Sequence, residues 1–307
     1  MTSTPKPNTF IIGAPKCGTS ALAKYLSEHP NVLFSTPKEP FFWCDDFPRL
    51  KHEMSLETMA DYLSVFQGYD PQLHTVIAEG STRYLRSSVA IERILSYNPD
   101  ARFIAMVRNP IELVQAYHME QRYSLHEDIA SFEEAWRAQD ERAIGRRIPR
   151  GCREPAFLQY GKVGLLGEQI QYATELIPKD RLRIITLDDF KADTPKVYKE
   201  TLRFLGLVDD RRQDFPVVNS AHAHRHEWLA KLILTPPKII ERPLRSVRRH
   251  LWEKRYGPVE WIKGSLNTRK PRQEISPALR DELKQHFRQD VDKLSNLIGK
   301  DLGHWTA

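Results

Sequence analysis

Short apolar runs alternate along this chain with longer stretches of helical period. The first run, Thr9-Phe10-Ile11-Ile12-Gly13-Ala14, is brief, β-branched and aromatic. A Gly/Pro segment follows at once, which predicts a buried strand. From Thr19 to His29 the period becomes helical, with Ala21, Leu22, Tyr25 and Leu26 on one face and Pro30 ending it. Val32–Phe34, Thr75–Ala78, Arg102–Val107 and Leu182–Leu187 predict four more strands. Helices are predicted over Ser88–Ser96, Pro110–Tyr123, Phe132–Arg142, Gly164–Leu176, Tyr198–Leu205 and Pro277–Ile298, the last with a break near Phe287. Gly206 caps the fifth of these. Strands alternating with helices predict an α/β fold, a central parallel sheet of about five strands covered on both faces. The stretch 228–256 departs from the rest, being rich in Arg, Pro and aromatics. It reads as part of a basic helical cap or insertion at about 221–264 in a single domain spanning 1–307. Trp305 reads as a core anchor for the last helix.

Composition narrows the class. With 40% hydrophobic and 28% charged residues over 307 positions, the chain folds rather than staying disordered. The net charge of +6 is a mild excess. It suits an anionic ligand or membrane surface and does not demand nucleic acid. No apolar run is long enough to span a bilayer, and the first residues lack the apolar core of a secretory signal. Cys17, Cys44 and Cys152 are three sparse cysteines without a CxxC pair. That argues against a disulfide framework or structural zinc and for a reducing, cytoplasmic setting. The spaced triplet His222, His224 and His226 lacks a predicted helix or strand to frame a metal, so no metal site is expected.

The strongest chemical signal is Gly13-Ala14-Pro15-Lys16-Cys17-Gly18-Thr19-Ser20-Ala21-Leu22. A strand runs into it and a helix leaves it. Backbone N–H groups and a helix dipole therefore face any anion held there. Gly13 and Gly18 have the spacing of a Walker A loop, but Thr19 stands at its lysine position. The cation comes instead from Lys16, three residues earlier. Such a loop cradles a phosphate without the usual arrangement for a β,γ-phosphate pair with magnesium.

These residues resemble the 5′-phosphosulfate loop of sulfotransferases that use 3′-phosphoadenosine-5′-phosphosulfate (PAPS). Phe103–Tyr117 is similar to that family's 3′-phosphate segment, in which a strand ends in Arg-x-Pro and a helical Ser follows eight residues after the Arg. Arg108, Asn109 and Pro110 match; Ala116 takes the Ser position, so one hydroxyl donor is missing. Lys38-Glu39-Pro40-Phe41-Phe42 resembles a KE-x-x-F segment of the heparan-type branch. Glu79-Gly80-Ser81-Thr82-Arg83-Tyr84 resembles its E-K-[ST]-x-x-Y segment, with Gly80 replacing a lysine. Leu187–Phe190 with Phe204–Leu207 is similar to a further family stretch, and Asn267–Pro271 sits where the family has a basic loop closing over the nucleotide. The resemblance runs from about Thr9 to Trp305 and implies a P-loop-containing nucleoside triphosphate hydrolase-like fold. It implies PAPS as co-substrate and adenosine 3′,5′-bisphosphate as product, with no metal required. Lys16, Cys17, Gly18, Thr19, Ser20, Ala21, Arg108, Ala116, Arg269 and Lys270 are then donor-binding positions, and Lys38, Glu79, Arg83, Tyr84 and His118 acceptor-side ones.

Sulfuryl transfer builds charge on the bridging phosphate oxygen, and a lysine with backbone N–H groups stabilises it there. Lys16 has that position. The acceptor must also lose a proton to a base. Glu39 is the first candidate: it follows the second strand among apolar neighbours that raise a carboxylate pKa, and the heparan-type branch uses the matching Glu. His118 is the alternative. The acceptor is a small molecule, glycan or lipid hydroxyl, with carbohydrate favoured by the heparan-type matches. The 228–256 segment suits anionic lipid or an acidic acceptor, and equally a solvated basic face. A nucleotide kinase and a non-catalytic bisphosphate-binding module are the rival readings. Lys16 with Thr19 opposes the first, and Ala116 keeps the second open.

Overall fold

The computed structural model describes residues 4–54, 56–152, 154–217, 223–224, 267–268 and 274–307. Five strands form one all-parallel sheet: β1 (Thr9–Gly13), β2 (Val32–Phe34), β3 (Val76–Glu79), β4 (Arg102–Val107) and β5 (Leu182–Thr186). Their spatial order is β2-β3-β1-β4-β5, which puts β1 at the centre. Every residue of β1 is buried, as an unbroken apolar run in a parallel sheet should be. Phe10 and Phe103 stack across the β1–β4 pair with ring centroids 5.7 Å apart. Helix α1 (Thr19–Ser27) closes on the sheet through Leu22, Ala23, Tyr25 and Leu26.

The chain forms two compact units. The first comprises Met1–Val114, Gly161–Asn219 and Ser276–Ala307 and holds the whole five-strand sheet; the second comprises Gln115–Tyr160 and Ser220–Ile275. The predicted cap at 221–264 lies outside the described residues, apart from Ala223–His224. That pair forms a two-residue strand, β6, antiparallel to β7 (Asn267–Thr268). One of the three spaced histidines therefore has a strand frame that was not expected; His222 and His226 are outside the described residues.

All five predicted sheet strands are present. Four short helices among the described residues were not foreseen: Tyr160–Gly164, Leu187–Ala192, α2 (Pro48–Met54) and α3 (Met59–Leu63). The last of these opens on a capping box in which Thr58 accepts from the Asp61 amide and Asp61 accepts from the Thr58 amide. Helix α4 spans Ala90–Tyr97 and α5 spans Pro110–Tyr123. The helix expected over Phe132–Arg142 is two pieces, α6 (Phe132–Arg137) and α7 (Gln139–Ala143). Helices α8 (Tyr160–Gly164), α9 (Leu166–Leu176), α10 (Leu187–Ala192) and α11 (Thr194–Leu205) follow. Helix α11 begins earlier than expected because Asp193 caps it and Pro195 occupies its first turn. The last helix, α12 (Pro277–Ile298), is continuous where a break was expected. Leu279, Leu283, Phe287, Val291 and Leu294 are all buried at helical spacing, so Phe287 belongs to the packed face. Trp305 is buried, and its indole N–H donates to Asp188 Oδ2 at 2.7 Å, which makes it the expected anchor.

Helix α9 receives its N-terminal cap from α12. Asp290, 5% exposed, accepts from the Gly167 amide at 2.7 Å and the Glu168 amide at 2.9 Å. No local side chain caps α9, so this carboxylate meets orphan donors that the helix leaves bare. Asp290→Ala should cost about 2 kcal/mol, because two buried donors lose their acceptor together. Asp290→Asn, which keeps one acceptor oxygen, should cost less. Urea denaturation of the three proteins measures both differences.

Candidate functional site

The parallel sheet sends all five strands to one carboxyl edge, and the helices that follow them begin there. Two of these starts are capped by side chains. Asn109 Oδ1 accepts from the Ile111 amide at the head of α5, and Thr186 Oγ1 accepts from the Asp189 amide in α10. Helix α1 has no side-chain cap. The N-cap residue is Gly18, left-handed at φ 89°, where a Cβ would also sit 2.9 Å from Leu187 Cδ1. Lys16 is left-handed as well, at φ 62°. Left-handed residues in such a loop turn neighbouring N–H groups toward a common side, and a strained non-glycine there persists only where its surroundings hold it. Arg108 does the holding: its Nη1 donates to the Lys16 carbonyl at 2.9 Å. Thr19 and Cys17 are buried, while Ser20 is exposed at the helix start and Ala21 half-buried. Burial pushes the Cys17 thiol up to about 12, so it stays protonated and acts as packing.

A bridge links this loop to Glu39. The Lys38 ammonium donates to Thr19 Oγ1 at 3.4 Å and to Glu39 Oε1 at 2.9 Å. The other carboxylate oxygen accepts from Thr82 Oγ1 at 3.1 Å. Lys38 and Glu39 keep 24% and 31% of their side-chain surface, so the pair is reachable from solvent. Gly80 makes room for the bridge: a Cβ there would sit 2.9 Å from Lys38 Cε. The lysine that the resemblance places at 80 is absent, and the Lys38 chain occupies the adjoining space. Lys38 was expected on the acceptor side and stands between the phosphate loop and Glu39.

Two further acceptor-side candidates lie inside the fold. Glu79 and Tyr84 are fully buried, at 0% exposure each. Tyr62 and Tyr84 donate to Glu79 Oε1 at 2.9 and 3.0 Å, and Ser81 donates to Oε2 at 2.5 Å. Burial pushes the Glu79 carboxyl up to about 7, against these three donors, which pull it down. Arg83 is half-buried with its guanidinium 5.8 Å from the centre of the Phe41 ring.

Arg108 is 6% exposed. Besides the Lys16 carbonyl it pairs with Glu112, one helical turn on. Its Nε is buried with no hydrogen-bond partner among the described residues. Sequence reasoning missed Glu112 and Thr82. The first had a signal, an Arg–Glu pair four residues apart; the second lay inside the Glu79–Tyr84 segment without one.

Ala116 and His118 belong to the second unit. Ala116 is 9% exposed on α5. His118 is 3% exposed; it packs on Phe132 and Tyr160, and its Nε2 is 3.0 Å from the Ile129 carbonyl. A carbonyl only accepts, so that nitrogen carries the proton. The ring is enclosed by these partners. Arg269 and Lys270 lie outside the described residues. Among the described residues no acidic, His or Cys group could hold a metal ion, and no helix is long and apolar enough to cross a membrane.

Residues 7–152 match the model of the sulfotransferase family. Over that stretch the chain is similar to that family. A solved sulfotransferase from Alicyclobacillus acidocaldarius is 25% identical, with a TM-score of 0.71 over 99% of this chain and 100% of that one. The shared architecture is the P-loop nucleoside triphosphate hydrolase-like sheet with helices on its faces. Among curated relatives, the bifunctional heparan sulfate N-deacetylase/N-sulfotransferase 3 of Homo sapiens is 26% identical over 66% of this chain and 22% of its own length. Carbohydrate sulfotransferase 15 of Homo sapiens is 25% identical over 66% of this chain and 44% of its own. The chain spans less than half the length of these curated relatives.

Burial also predicts an acid sensitivity. It pushes the His118 imidazole from 6.5 down to about 4, with the Ile129 hydrogen bond and Glu127 opposing the shift. Between those two values the unfolded chain binds more protons than the folded one. Stability from the neutral ring is therefore complete above pH 6.5 and is lost as pH falls toward 4, by at most about 3 kcal/mol. Urea denaturation at pH 7 and pH 5 should show this loss in the wild type and a smaller one in His118→Phe.

Proposed function

We propose that this chain transfers the sulfuryl group of PAPS to an acceptor hydroxyl, most simply that of a carbohydrate. One observation carries the reading: an uncapped helix start, with Lys16 inside its loop, is joined through Thr19 and Lys38 to Glu39. The loop lacks the helix-start lysine of a triphosphate site. A donor with a single 5′-phosphate does not need that lysine.

Residues of the first unit fit the donor. Loop amides, with the Thr19 and Ser20 hydroxyls, receive the 5′-phosphate. Arg108 suits the 3′-phosphate, since it is a buried cation with an unpartnered Nε among the described residues. Ala116 supplies no hydroxyl, so Arg108 carries the charge-assisted contact. Arg269 and Lys270 are assigned to the loop closing over the nucleotide. Lys16 stabilises the charge on the bridging oxygen. Glu39 takes the proton as the acceptor oxygen bonds to sulfur and the sulfur–oxygen bond to the phosphate breaks, which leaves adenosine 3′,5′-bisphosphate. Lys38 and Thr82 fix both Glu39 oxygens, so the carboxylate is oriented before the acceptor arrives. The two human relatives, named for heparan sulfate and for carbohydrate, support a glycan acceptor; lipid and small-molecule hydroxyls stay within the same chemistry. The single-domain reading with a basic cap at 221–264, meeting acceptor or anionic lipid, and a cytoplasmic setting belong to this proposal.

Adenosine 3′,5′-bisphosphate should stabilise the fold without added metal. At a hundredfold excess over Kd the gain is about 2.7 kcal/mol, read as a thermal shift. Stabilisation by ATP with magnesium and none by the bisphosphate would overturn the donor assignment.

Glu39→Gln keeps the shape of the side chain and removes its proton acceptance. Turnover with PAPS and a glycan acceptor should fall by about a hundred- to ten-thousandfold. Calorimetry should find bisphosphate binding unchanged. Retained activity would place the base elsewhere; lost binding would make Glu39 a donor-site residue.

A further inference from the structure

Glu39 sits in a loop that makes little regular structure of its own. It lies between the end of β2 and the start of α2, and its neighbour Phe41 is left-handed at φ 53°. A bulky residue in that region is strained, and the strain persists only where outside bonds over-determine it. Those bonds come from the segment after β3. The Gly80 amide donates to the Lys38 carbonyl at 2.9 Å. The Phe41 amide donates to Ser81 Oγ at 3.0 Å, and the Trp43 amide donates to Tyr84 Oη at 3.3 Å. The main chain is thus held on both sides of Glu39.

The last two bonds need oxygens that face the loop as acceptors. Ser81 and Tyr84 each carry one hydroxyl proton, and both protons go to Glu79. In its ionised form the carboxylate accepts only, so it then sets the direction of both hydroxyls. With their protons committed below, the two oxygens are free to accept from the Phe41 and Trp43 amides above. Tyr62 gives the carboxylate a third donor and sits stacked under Phe42, 4.6 Å between centroids. An amide at position 79 would present a donor to one of the hydroxyls and scramble this polarity.

We propose that Glu79 is a positioning residue: it orients the Ser81 and Tyr84 hydroxyls, and through them it fixes the loop that presents Glu39. This rests on the reading of Glu39 as the base. Glu79 touches neither donor nor acceptor, and its action runs through two hydroxyls and two backbone amides.

The test reads the loop and the chemistry separately. Amide hydrogen exchange at Phe41 and Trp43 is compared in the wild type, Glu79→Gln, Ser81→Ala, Tyr84→Phe and Ser81→Thr, with the β1 amides as the internal standard. In the first three variants exchange at one or both loop amides should rise by about tenfold, the scale of one lost hydrogen bond. In the same three kcat should fall, while bisphosphate affinity and the β1 amides hold. Ser81→Thr retains the hydroxyl and should keep both exchange and turnover near wild type. Ser81→Ala and Tyr84→Phe keep the test decisive if Glu79→Gln does not fold. Unchanged exchange at both amides overturns the proposal. So does faster exchange with undiminished kcat. Glu39→Gln serves as the control: its activity should be lost with loop exchange unaltered. Retained activity in that control sinks the base reading alone, and the exchange result then decides whether Glu79 orders the loop.

Discussion

A parallel sheet gathers the carboxyl ends of its strands at one edge, and that constraint organises this molecule. Each strand arrives with its backbone spent on ladder hydrogen bonds, and each helix departs with amides that have no partner. Polar groups must meet these amides. At α5 and α10 the chain meets them itself, with Asn109 and Thr186. At α1 it supplies Gly18 and no cap. Central burial of β1 makes the edge rigid, and the missing cap makes it receptive to an anion.

Around that opening the structure trades local comfort for placement. Lys16 and Phe41 both hold left-handed backbone, and each is clamped from outside: Lys16 by Arg108, and Phe41 by Ser81. The clamps are themselves buried and come from different strands. Arg108 follows β4, and Ser81 follows β3. The loop and Glu39 thus owe their positions to neighbours brought there by the order β2-β3-β1-β4-β5. The Lys38 bridge closes the arrangement across the same edge. Its geometry depends on the missing side chain at Gly80, where a Cβ would meet the Lys38 chain.

Much of this was legible in the sequence, for local reasons. The strands are short β-branched and aromatic runs, several of them bounded by Gly, Pro or Asn, which is the pattern of a buried strand. The phosphate loop is a contiguous segment, so its spacing is visible directly. Helix interiors were also readable, but their ends were less so. The break expected at Phe287 is absent because its ring is buried on the same face as Leu283 and Val291. The Thr58–Asp61 capping box was a local signal that went unread, and Asp290 capping α9 from over a hundred residues away had no local signal.

The sequence by itself determined the alternating α/β order, the buried first strand and the loop with Lys16 in place of a helix-start lysine. Each is encoded within a few consecutive residues, where spacing alone carries the chemistry. Tertiary structure decided the roles of the scattered polar residues. Glu79 and Tyr84 match a segment expected to face the acceptor, yet both are enclosed and hold up the loop instead. His118 matches a candidate base, yet its ring is enclosed by Phe132 and Tyr160. Lys38 turns toward Thr19 rather than outward. Burial and partner choice for such groups depend on what the rest of the chain brings alongside them, and a single charged or hydroxyl side chain carries no record of its distant neighbours.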